Sequence, residues 1–412
     1  MCSTDSLDGP FGGSVTVGGL RRTLNFGDSS NGRGTTIMPR DVDPYAHNHH
    51  KVIQRAVASS INSKNLKPKL GKRNYRTISD VPTRVLDAPD VLDDYYLNLI
   101  SWSKDNVLAV ALGPSVYLWD ASTEEITHVL TVPGEQSYIS SVSWCTIPGS
   151  TKYLAIGTSN KTIQLWDAET VRKVRNLGEH RGRVSSLTWN DSKKWLTSGS
   201  RDSIIFQHDV RCSDHVVAKY TGHAREVCGL SWDEEGHSLA SGGNDNMLCI
   251  WDAAMSSRNS SSRSSQGSSL AISPRFTLRD HKAAVKALGW CPFKRGLLAS
   301  GGGTADRSIK FWNTVSGKVT RSVNTGSQVC SLVWSNRTRE LCSAHGYSEN
   351  QLIVWDYVTM TRMQELKSHV GRVLNMEMSP NGSTVASIGA DDTLRFWDVF
   401  RPPPKSRRRY KS

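Results

Sequence analysis

Histidine, serine and aspartate recur along this chain in an order that could support hydrolysis, because a hydroxyl nucleophile, an imidazole base and an orienting carboxylate form a catalytic triad. The order is repeated, and each set is followed by a tryptophan: His223, Ser241, Asp245 and Trp251; His281, Ser300, Asp306 and Trp312; His369, Ser387, Asp391 and Trp397. A catalytic centre needs one set, whereas repetition indicates a structural unit. We therefore predict that each set is a hydrogen-bonded chain under a sheet surface and that the protein is not an enzyme.

Other residue patterns that could bind cofactors are weak. Gly301, Gly302 and Gly303 precede no predicted helix, so they suit a turn and not a phosphate loop. Three histidines near the start (His47, His49 and His50) lack a cysteine or carboxylate partner, and a solvated run is expected there. Aromatic residues do not interleave with basic ones, so no direct nucleic-acid contact is expected. We expect no cofactor and no metal.

The eight cysteines form no C-x-x-C pair. Six lie in or beside apolar, strand-like runs: Cys145, Cys228, Cys249, Cys291, Cys330 and Cys342. This pattern predicts small buried thiols in a reducing compartment, not disulfides or zinc ligands.

The elements that position these residues are repeats. Trp-Asp or a close variant ends seven strand-like runs: Trp119-Asp120, Trp166-Asp167, His208-Asp209, Trp251-Asp252, Trp312-Asn313, Trp355-Asp356 and Trp397-Asp398. Five of the six spacings are 42 to 47 residues, the length of a four-stranded propeller blade. The sixth, of 61 residues, contains a Ser-rich stretch that we assign to a disordered loop over residues 254–274.

A second repeated pattern supports the same count. About 20 residues before most of the Trp-Asp pairs lies a run of alternating apolar and polar residues that ends in tryptophan. An aliphatic residue stands five positions before the end of each run. The sequence therefore predicts an all-β, seven-bladed WD-repeat β-propeller over residues 74–400. A disordered N-terminal arm (1–73) and a short basic C-terminal tail (401–412) flank it.

The net charge of +13 is partly local, because residues 401–412 hold six Lys/Arg and no acid. Such a run favours acidic partners or nuclear import, with a solvated tail as the alternative. No apolar run approaches the length of a membrane span, so no membrane partner is expected. The expected location is the nucleus and the cytoplasm.

The last blade lacks a fourth strand, and the segment around Tyr75-Arg76-Thr77-Ile78 is the predicted donor. The residue before each first-strand aliphatic should cap the rim of the central channel: Tyr96, Tyr138, Arg183, Glu226, Ala284, Gln328 and Arg372. Aromatic, Arg and amide groups suit peptide recognition, although any propeller rim is polar.

Longer strings carry a more specific resemblance. Residues 84–99 (RVLDAPDVLDDYYLNL), 106–112 (NVLAVAL) and 116–119 (VYLW) resemble the start of blade one in the Fizzy family, and further matching strings follow: EVCGL (226–230), ASGGNDN (240–246), WCPF (290–293), GGGT (301–304), SQVCS (327–331) and RVL (372–374). This family consists of WD-repeat activators that recruit substrates to the anaphase-promoting ubiquitin ligase. The resemblance implies the ligase subunits, degron-bearing substrates such as cyclins and securin, and spindle-checkpoint proteins as partners.

The resemblance also implies two peptide sites. The residues expected to bind the Lys-Glu-Asn degron are Asp94, Tyr95, Asn244, Asn246, Thr304, Gln328 and Arg372. Asp94 would pair with the degron Lys and Arg372 with its Glu. A groove between the first and last blades would receive the destruction box, with Asp87 and Asp392 around its Arg; the family often has Glu at the second position.

The expected ligase-docking elements depart from the family pattern. The box Asp-Arg-(Phe/Tyr)-Ile-Pro-x-Arg is reduced to Ile37, Pro39 and Arg40, interrupted by Met38, and the sequence closes on Tyr-Lys-Ser instead of Ile-Arg. We therefore expect a degron-reading adaptor of the ligase. The alternatives are a divergent relative that binds degrons or checkpoint proteins but activates the ligase poorly, and a general WD-repeat scaffold.

Overall fold

The computed structural model describes residues 77–254, 271–347 and 349–400. Their strands form seven mainly antiparallel sheets, the blades of a propeller. Inner strands of successive blades pack side by side, and the inner strand of blade seven packs beside that of blade one, which closes the ring. The predicted seven-bladed β-propeller is confirmed.

Each blade begins with the strand that lines the central channel. The strands of blades one to three are β2(Ile100–Trp102), β3(Val107–Leu112), β4(Ser115–Asp120) and β5(Ile126–Thr131); β6(Ile139–Trp144), β7(Tyr153–Thr158), β8(Ile163–Asp167) and β9(Arg172–Leu177); β10(Val184–Asn190), β11(Trp195–Ser200), β12(Ile205–His208) and β13(Val216–Tyr220). Blades four and five contain β14(Val227–Trp232), β15(Ser238–Gly243), β16(Leu248–Asp252) and β18(Phe276–Leu278); β19(Val285–Trp290), β20(Leu297–Gly302), β21(Ser308–Asn313) and β22(Lys318–Asn324). Blades six and seven contain β23(Val329–Trp334), β24(Glu340–His345), β25(Leu352–Asp356) and β26(Thr361–Leu366); β27(Val373–Met378), β28(Val385–Gly389) and β29(Thr393–Trp397), completed by β1(Arg84–Asp87). We call the end where inner strands begin the upper face and the end where they finish the lower face.

The strand that completes blade seven is β1, which pairs with β29 from Arg84 opposite Phe396 to Asp87 opposite Thr393. The prediction that the donor lies around residues 75–78 is therefore wrong. Tyr75 and Arg76 lie outside the described residues, and Thr77 and Ile78 form no strand. Ile78 instead packs in the buried cluster that contains Trp397 and Phe400.

The Ser-rich insertion ends in ordered structure. Ala271–Ile272, numbered β17, pairs in parallel with β13 and adds a fifth strand to blade three. The predicted disordered loop over 254–274 is thus wrong for its last residues, because the backbone of Ile272 also accepts a hydrogen bond from Thr221. Residues 255–270 lie outside the described part of the chain.

The repeated His, Ser, Asp and Trp residues form the predicted hydrogen-bonded chains. In blade four, Asp245 bonds His223 Nδ1, and Ser241 Oγ receives the indole N–H of Trp251 at 2.7 Å and lies 2.7 Å from His223 Nε2. The sets of blades five and seven repeat this arrangement. The side chains of each set are buried and hydrogen-bond to one another, which confirms the prediction that the sets form structural hydrogen-bonded chains.

Blade three carries a version that sequence reasoning missed. His180 bonds Asp202 and Ser198, and Ser198 in turn meets the imidazole of His208 at 2.8 Å, in the position that tryptophan takes elsewhere. His208 continues the chain to His215. Burial holds the pKa of His208 well below its ordinary value, so the ring is neutral.

The six cysteines predicted to be small buried hydrophobes are all buried, as expected. The described cysteines are free thiols. Among the described residues, no helix is long and apolar enough to cross a bilayer.

Candidate functional site

A β-bulge recurs near the start of the inner strands, just beneath the upper rim. Near the start of six inner strands the pairing with the second strand skips one residue, which leaves that residue unpaired and turned out of the ladder. The skipped residues are Ser140, Ser185, Cys228, Lys286, Cys330 and Leu374. Of these, Lys286 reaches across the channel, whereas the side chains of Ser140 and Cys228 bond to the next blade.

Lys286 and Tyr95 plug the channel. The buried Lys286 ammonium donates to the Leu97 carbonyl at 2.7 Å and the Leu374 carbonyl at 2.8 Å, so one side chain of blade five ties blades one and seven. The Tyr95 hydroxyl, also buried, donates to the Val329 carbonyl at 3.2 Å. Tyr95 was expected among the degron-binding residues, but at 6% exposure it forms the floor of the upper face instead of its surface.

One charged network on the upper rim is centred on Arg183. Its guanidinium forms two parallel bonds to Glu226, at 2.7 and 3.0 Å, and one to Asp94 at 2.6 Å. Burial alone would lower the pKa of Arg183, but hydrogen bonding to Glu226 and the charge of Asp94 raise it above its usual range. The guanidinium also donates to the Tyr138 hydroxyl. These four rim residues are thereby held in one arrangement before any ligand arrives.

The second network is centred on Arg372, across the same rim. Its guanidinium bonds the carboxylate of Asp93, with Nε to Oδ1 at 2.8 Å, and lies 3.3 Å from the Gln328 side-chain oxygen. The Tyr347 hydroxyl donates to the other oxygen of Asp93, and the Arg372 guanidinium stands over the Tyr347 ring at 5.1 Å. Gly346 leaves room here, since a Cβ on it would lie 2.7 Å from Gln328 Oε1.

Asn244, Asn246 and Thr304 lie in upper-face turns of blades four and five. Asn244 Oδ1 accepts the Tyr96 hydroxyl at 3.0 Å, which links this turn to the rim. Asn246 has a φ of 64°, in the left-handed region that Asn tolerates in turns. Thr304 is exposed. The structure thus places the expected Lys-Glu-Asn residues on one face, with Tyr95 below them.

Asp87 and Asp392 lie together at the upper edge of blade seven. Asp87 ends β1 opposite Thr393, the neighbour of Asp392. Asp392 Oδ1 accepts the backbone N–H of Val91 at 3.2 Å. Burial, with the nearby charge of Asp90, raises the pKa of Asp392. Such a carboxylate gains from a cation beside it, as a guanidinium would provide.

Sequence reasoning missed Asp93, Tyr347 and the plugging role of Lys286. Asp93 and Arg372 are 279 residues apart, and only ring closure brings them together. Lys286 falls at a bulge, which breaks the alternation used to predict which residues face the channel. Ile37, Pro39 and Arg40 lie outside the described residues. Within the described ranges, no group of three or more His, Cys, Asp or Glu side chains is placed to hold a metal ion.

Comparison with known proteins gives a consistent result. Residues 86–397 match the model of the CDC20/Fizzy WD40 domain. The anaphase-promoting complex subunit cdc20 of Dictyostelium discoideum is 51% identical over 334 residues, which are 81% of this chain and 63% of that protein. Cell division cycle 20.1 of Arabidopsis thaliana, a cofactor of the APC complex, is 48% identical over 81% of this chain and 70% of its own length.

The fold also matches a solved structure. A chain in a crystal structure of the mitotic checkpoint complex superposes with a TM-score of 0.71 at 40% identity, covering 82% of this chain and all of that one. The part of this chain that matches the Dictyostelium protein spans less than two thirds of that protein's length.

Proposed function

This chain belongs to the CDC20/Fizzy family of WD40 proteins, and we propose that it recruits substrates to the anaphase-promoting complex ubiquitin ligase in cell-cycle control. In this role it binds degrons and ligase subunits and carries out no catalysis itself. Degron-bearing substrates such as cyclins and securin, and spindle-checkpoint proteins, are its proposed partners.

The observation that carries the proposal is the arrangement of charges on the upper rim. A Lys-Glu-Asn peptide presents a cation, an anion and an amide in a row. The rim offers an anion and a cation side by side in Asp93 and Arg372, with the Asn244 amide across the channel mouth from them. Arg372 has a side chain only 13% exposed, so its charge is directed by protein contacts and is poorly screened by water.

Asp94 was expected to pair with the degron Lys, and its contacts limit how far it can do so. Its carboxylate already accepts Arg183 and the backbone N–H of Tyr96. A carboxylate has about four acceptor positions, and this side chain is 30% exposed, so a substrate Lys can still bind it. Asp93 is the better candidate for part of this role, because its side chain is 40% exposed and lies beside Arg372.

A destruction box is proposed to bind where blade seven is closed by β1. Asp87 and Asp392 supply carboxylates at one end of that closure. A guanidinium held by two carboxylates uses the planar, forked geometry of Arg, which Lys cannot reproduce. The groove thus selects Arg at the first position of the motif.

The test is reconstituted ubiquitination with the full chain and a substrate that carries only a destruction box. We expect the chain to co-purify with ligase subunits and to stimulate ubiquitination, and the double variant Asp87→Asn, Asp392→Asn to lose the stimulation. The matched control is Asp80→Asn with Asp105→Asn, which removes two exposed carboxylates elsewhere.

The outcomes separate the candidate functions. Stimulation that depends on Asp87 and Asp392 supports the adaptor. Degron binding without ligase binding would instead identify a divergent relative that withholds substrates, as the interrupted box at Met38 suggests. Absence of both activities would leave a general scaffold and would refute the proposal.

A further inference from the structure

The lower end of the central channel is an open cavity of about 530 Å³, distinct from the upper face. Its wall is built from the lower halves of all seven inner strands. Five indole rings contribute to this wall: Trp102, Trp144, Trp189, Trp290 and Trp334. The plug formed by Lys286 and Tyr95 lies nearer the upper rim, so the degron site proposed above does not use this cavity.

Glu377 places a carboxyl group within this wall. It is the residue before the last in β27, and the matching residues of the other inner strands are small or uncharged: Ser101, Ser143, Thr188, Ser231, Gly289 and Val333. The Glu377 side chain forms no hydrogen bond or ion pair with any described residue. Burial raises the pKa of Glu377 to about 8, with no compensating charge.

The other ionisable groups in the lining do not neutralise Glu377. These are Lys286, Cys330 and Glu234. The Lys286 ammonium is bound to the carbonyls of Leu97 and Leu374 near the upper rim, and Glu234 is an exposed acid at the lower mouth. Within the described residues of the lining, no cation therefore lies beside Glu377.

The wall distinguishes a simple cation from a basic peptide. A simple cation would satisfy Glu377 alone. A basic peptide segment supplies a cation for the carboxylate, and its long side chains can lie on the indole faces of the wall.

A basic segment of the chain itself begins beside this cavity. The backbone N–H of Phe400, the last described residue, donates to the Ser383 carbonyl at 2.9 Å, in the turn that directly follows β27. Trp397 pairs with Val385, and Val385 with Met378, so the end of β29 lies two strand spacings, about 10 Å, from the channel wall. Residues 401–412 carry six Lys/Arg and no acid, and twelve extended residues reach up to about 40 Å.

We propose that the lower end of the channel is a binding site for a basic peptide segment, anchored by Glu377, and that its occupant is the chain's own segment 401–412. Binding a cation there gives the half-buried Glu377 carboxylate an ion-pair partner and covers the indole rings.

The test is carbodiimide coupling of the full chain, followed by mass spectrometry of the cross-linked peptides. The reagent joins a carboxylate to a primary amine in contact with it, so Arg407→Lys, Arg408→Lys and Arg409→Lys are introduced to make these cations reactive without changing the charge. We expect an amide between Glu377 and a lysine of 401–412. Glu377→Gln should abolish it, whereas Glu135→Gln, an exposed carboxylate at the upper face, should leave it unchanged.

Mixing isotope-labelled and unlabelled chains identifies the occupant. Cross-links confined to one isotope support the chain's own segment, and mixed-isotope cross-links would show that a second copy supplies it, which contradicts the proposal. Coupling of these lysines to other carboxylates only, with Glu377 unmodified, would overturn it outright.

Discussion

Individual side chains on the upper face are held by partners that are far away in the sequence. Arg372 is oriented by Asp93 and Gln328, and Arg183 by Glu226 and Asp94. Such charged, partly buried bonds fix a side chain before a ligand binds, so less rotamer entropy is lost on binding. The rim is therefore a prepared surface and not a set of mobile charges.

Lys286 gives a pH-dependent prediction at the same scale. Burial lowers the pKa of Lys286 to about 8, from 10.5 in the unfolded chain. Between these values the unfolded state binds more protons than the folded state, so the stability of the native protein relative to Lys286→Met rises as pH increases through this window. The neighbouring Cys330 thiol has its pKa raised to about 11 by burial, and burial also raises the pKa of Cys228 and of Tyr95, so these groups stay neutral there.

The measurement is chemical denaturation of both proteins at pH 7.5 and pH 9.5. We expect the difference in unfolding free energy to shift by about 1–3 kcal/mol in favour of the native lysine. A difference that is the same at both values would show that the Lys286 ammonium does not titrate in this range.

At the scale of elements, the ring depends on one short strand. β1 is four residues long, and its Leu86 is 4% exposed opposite Leu394. Without β1, blade seven exposes the edge of β29, where strand edges are prone to pair with other chains. The proposed destruction-box groove lies at the end of this same strand pair, so closure and binding share residues.

We predict that Leu86→Ala lowers the free energy of unfolding by about 2–5 kcal/mol, because it removes a buried side chain and leaves a cavity at the closure. The matched control is Val81→Ala, a side chain that is 64% exposed just before β1, where a change within about 0.5 kcal/mol is expected. Urea denaturation of both variants checks this. Equal stabilities would mean that β1 does not hold the ring closed.

The blade count could be predicted from the sequence because Trp-Asp, or a close variant, ends the third strand of each blade at a nearly constant spacing. The closing strand could not be predicted, because residues 75–78 and Arg84–Asp87 are both short segments of mixed polar and apolar residues. Only packing against Phe396 and Leu394 decides between them. Similarly, the ordered Ala271–Ile272 depends on the open edge of β13, which no local signal reveals. In the site, the rim positions were predictable from the repeat, whereas the Asp93–Arg372 pair needs the closed ring.

The whole molecule separates two tasks on its two faces. The upper face carries the family's proposed peptide sites, and the lower face carries a cavity with an unpaired carboxylate near the end of the last blade. A rigid ring suits an adaptor, because it presents several short binding surfaces at fixed positions. Weak contacts at such surfaces combine through effective concentration, so a change at one of them alters recruitment strongly.

The central claim, that the upper rim reads a degron, is tested most directly by calorimetric titration of the full chain with a Lys-Glu-Asn peptide. The account predicts measurable binding that is weakened by about 1–3 kcal/mol in Arg372→Ala, since a charged hydrogen bond is lost. The same peptide with its three residues replaced by alanine should not bind, and Arg295→Ala, an exposed arginine near the lower face, should bind as the native chain does. Equal affinity of the native chain and Arg372→Ala for the Lys-Glu-Asn peptide would contradict the account.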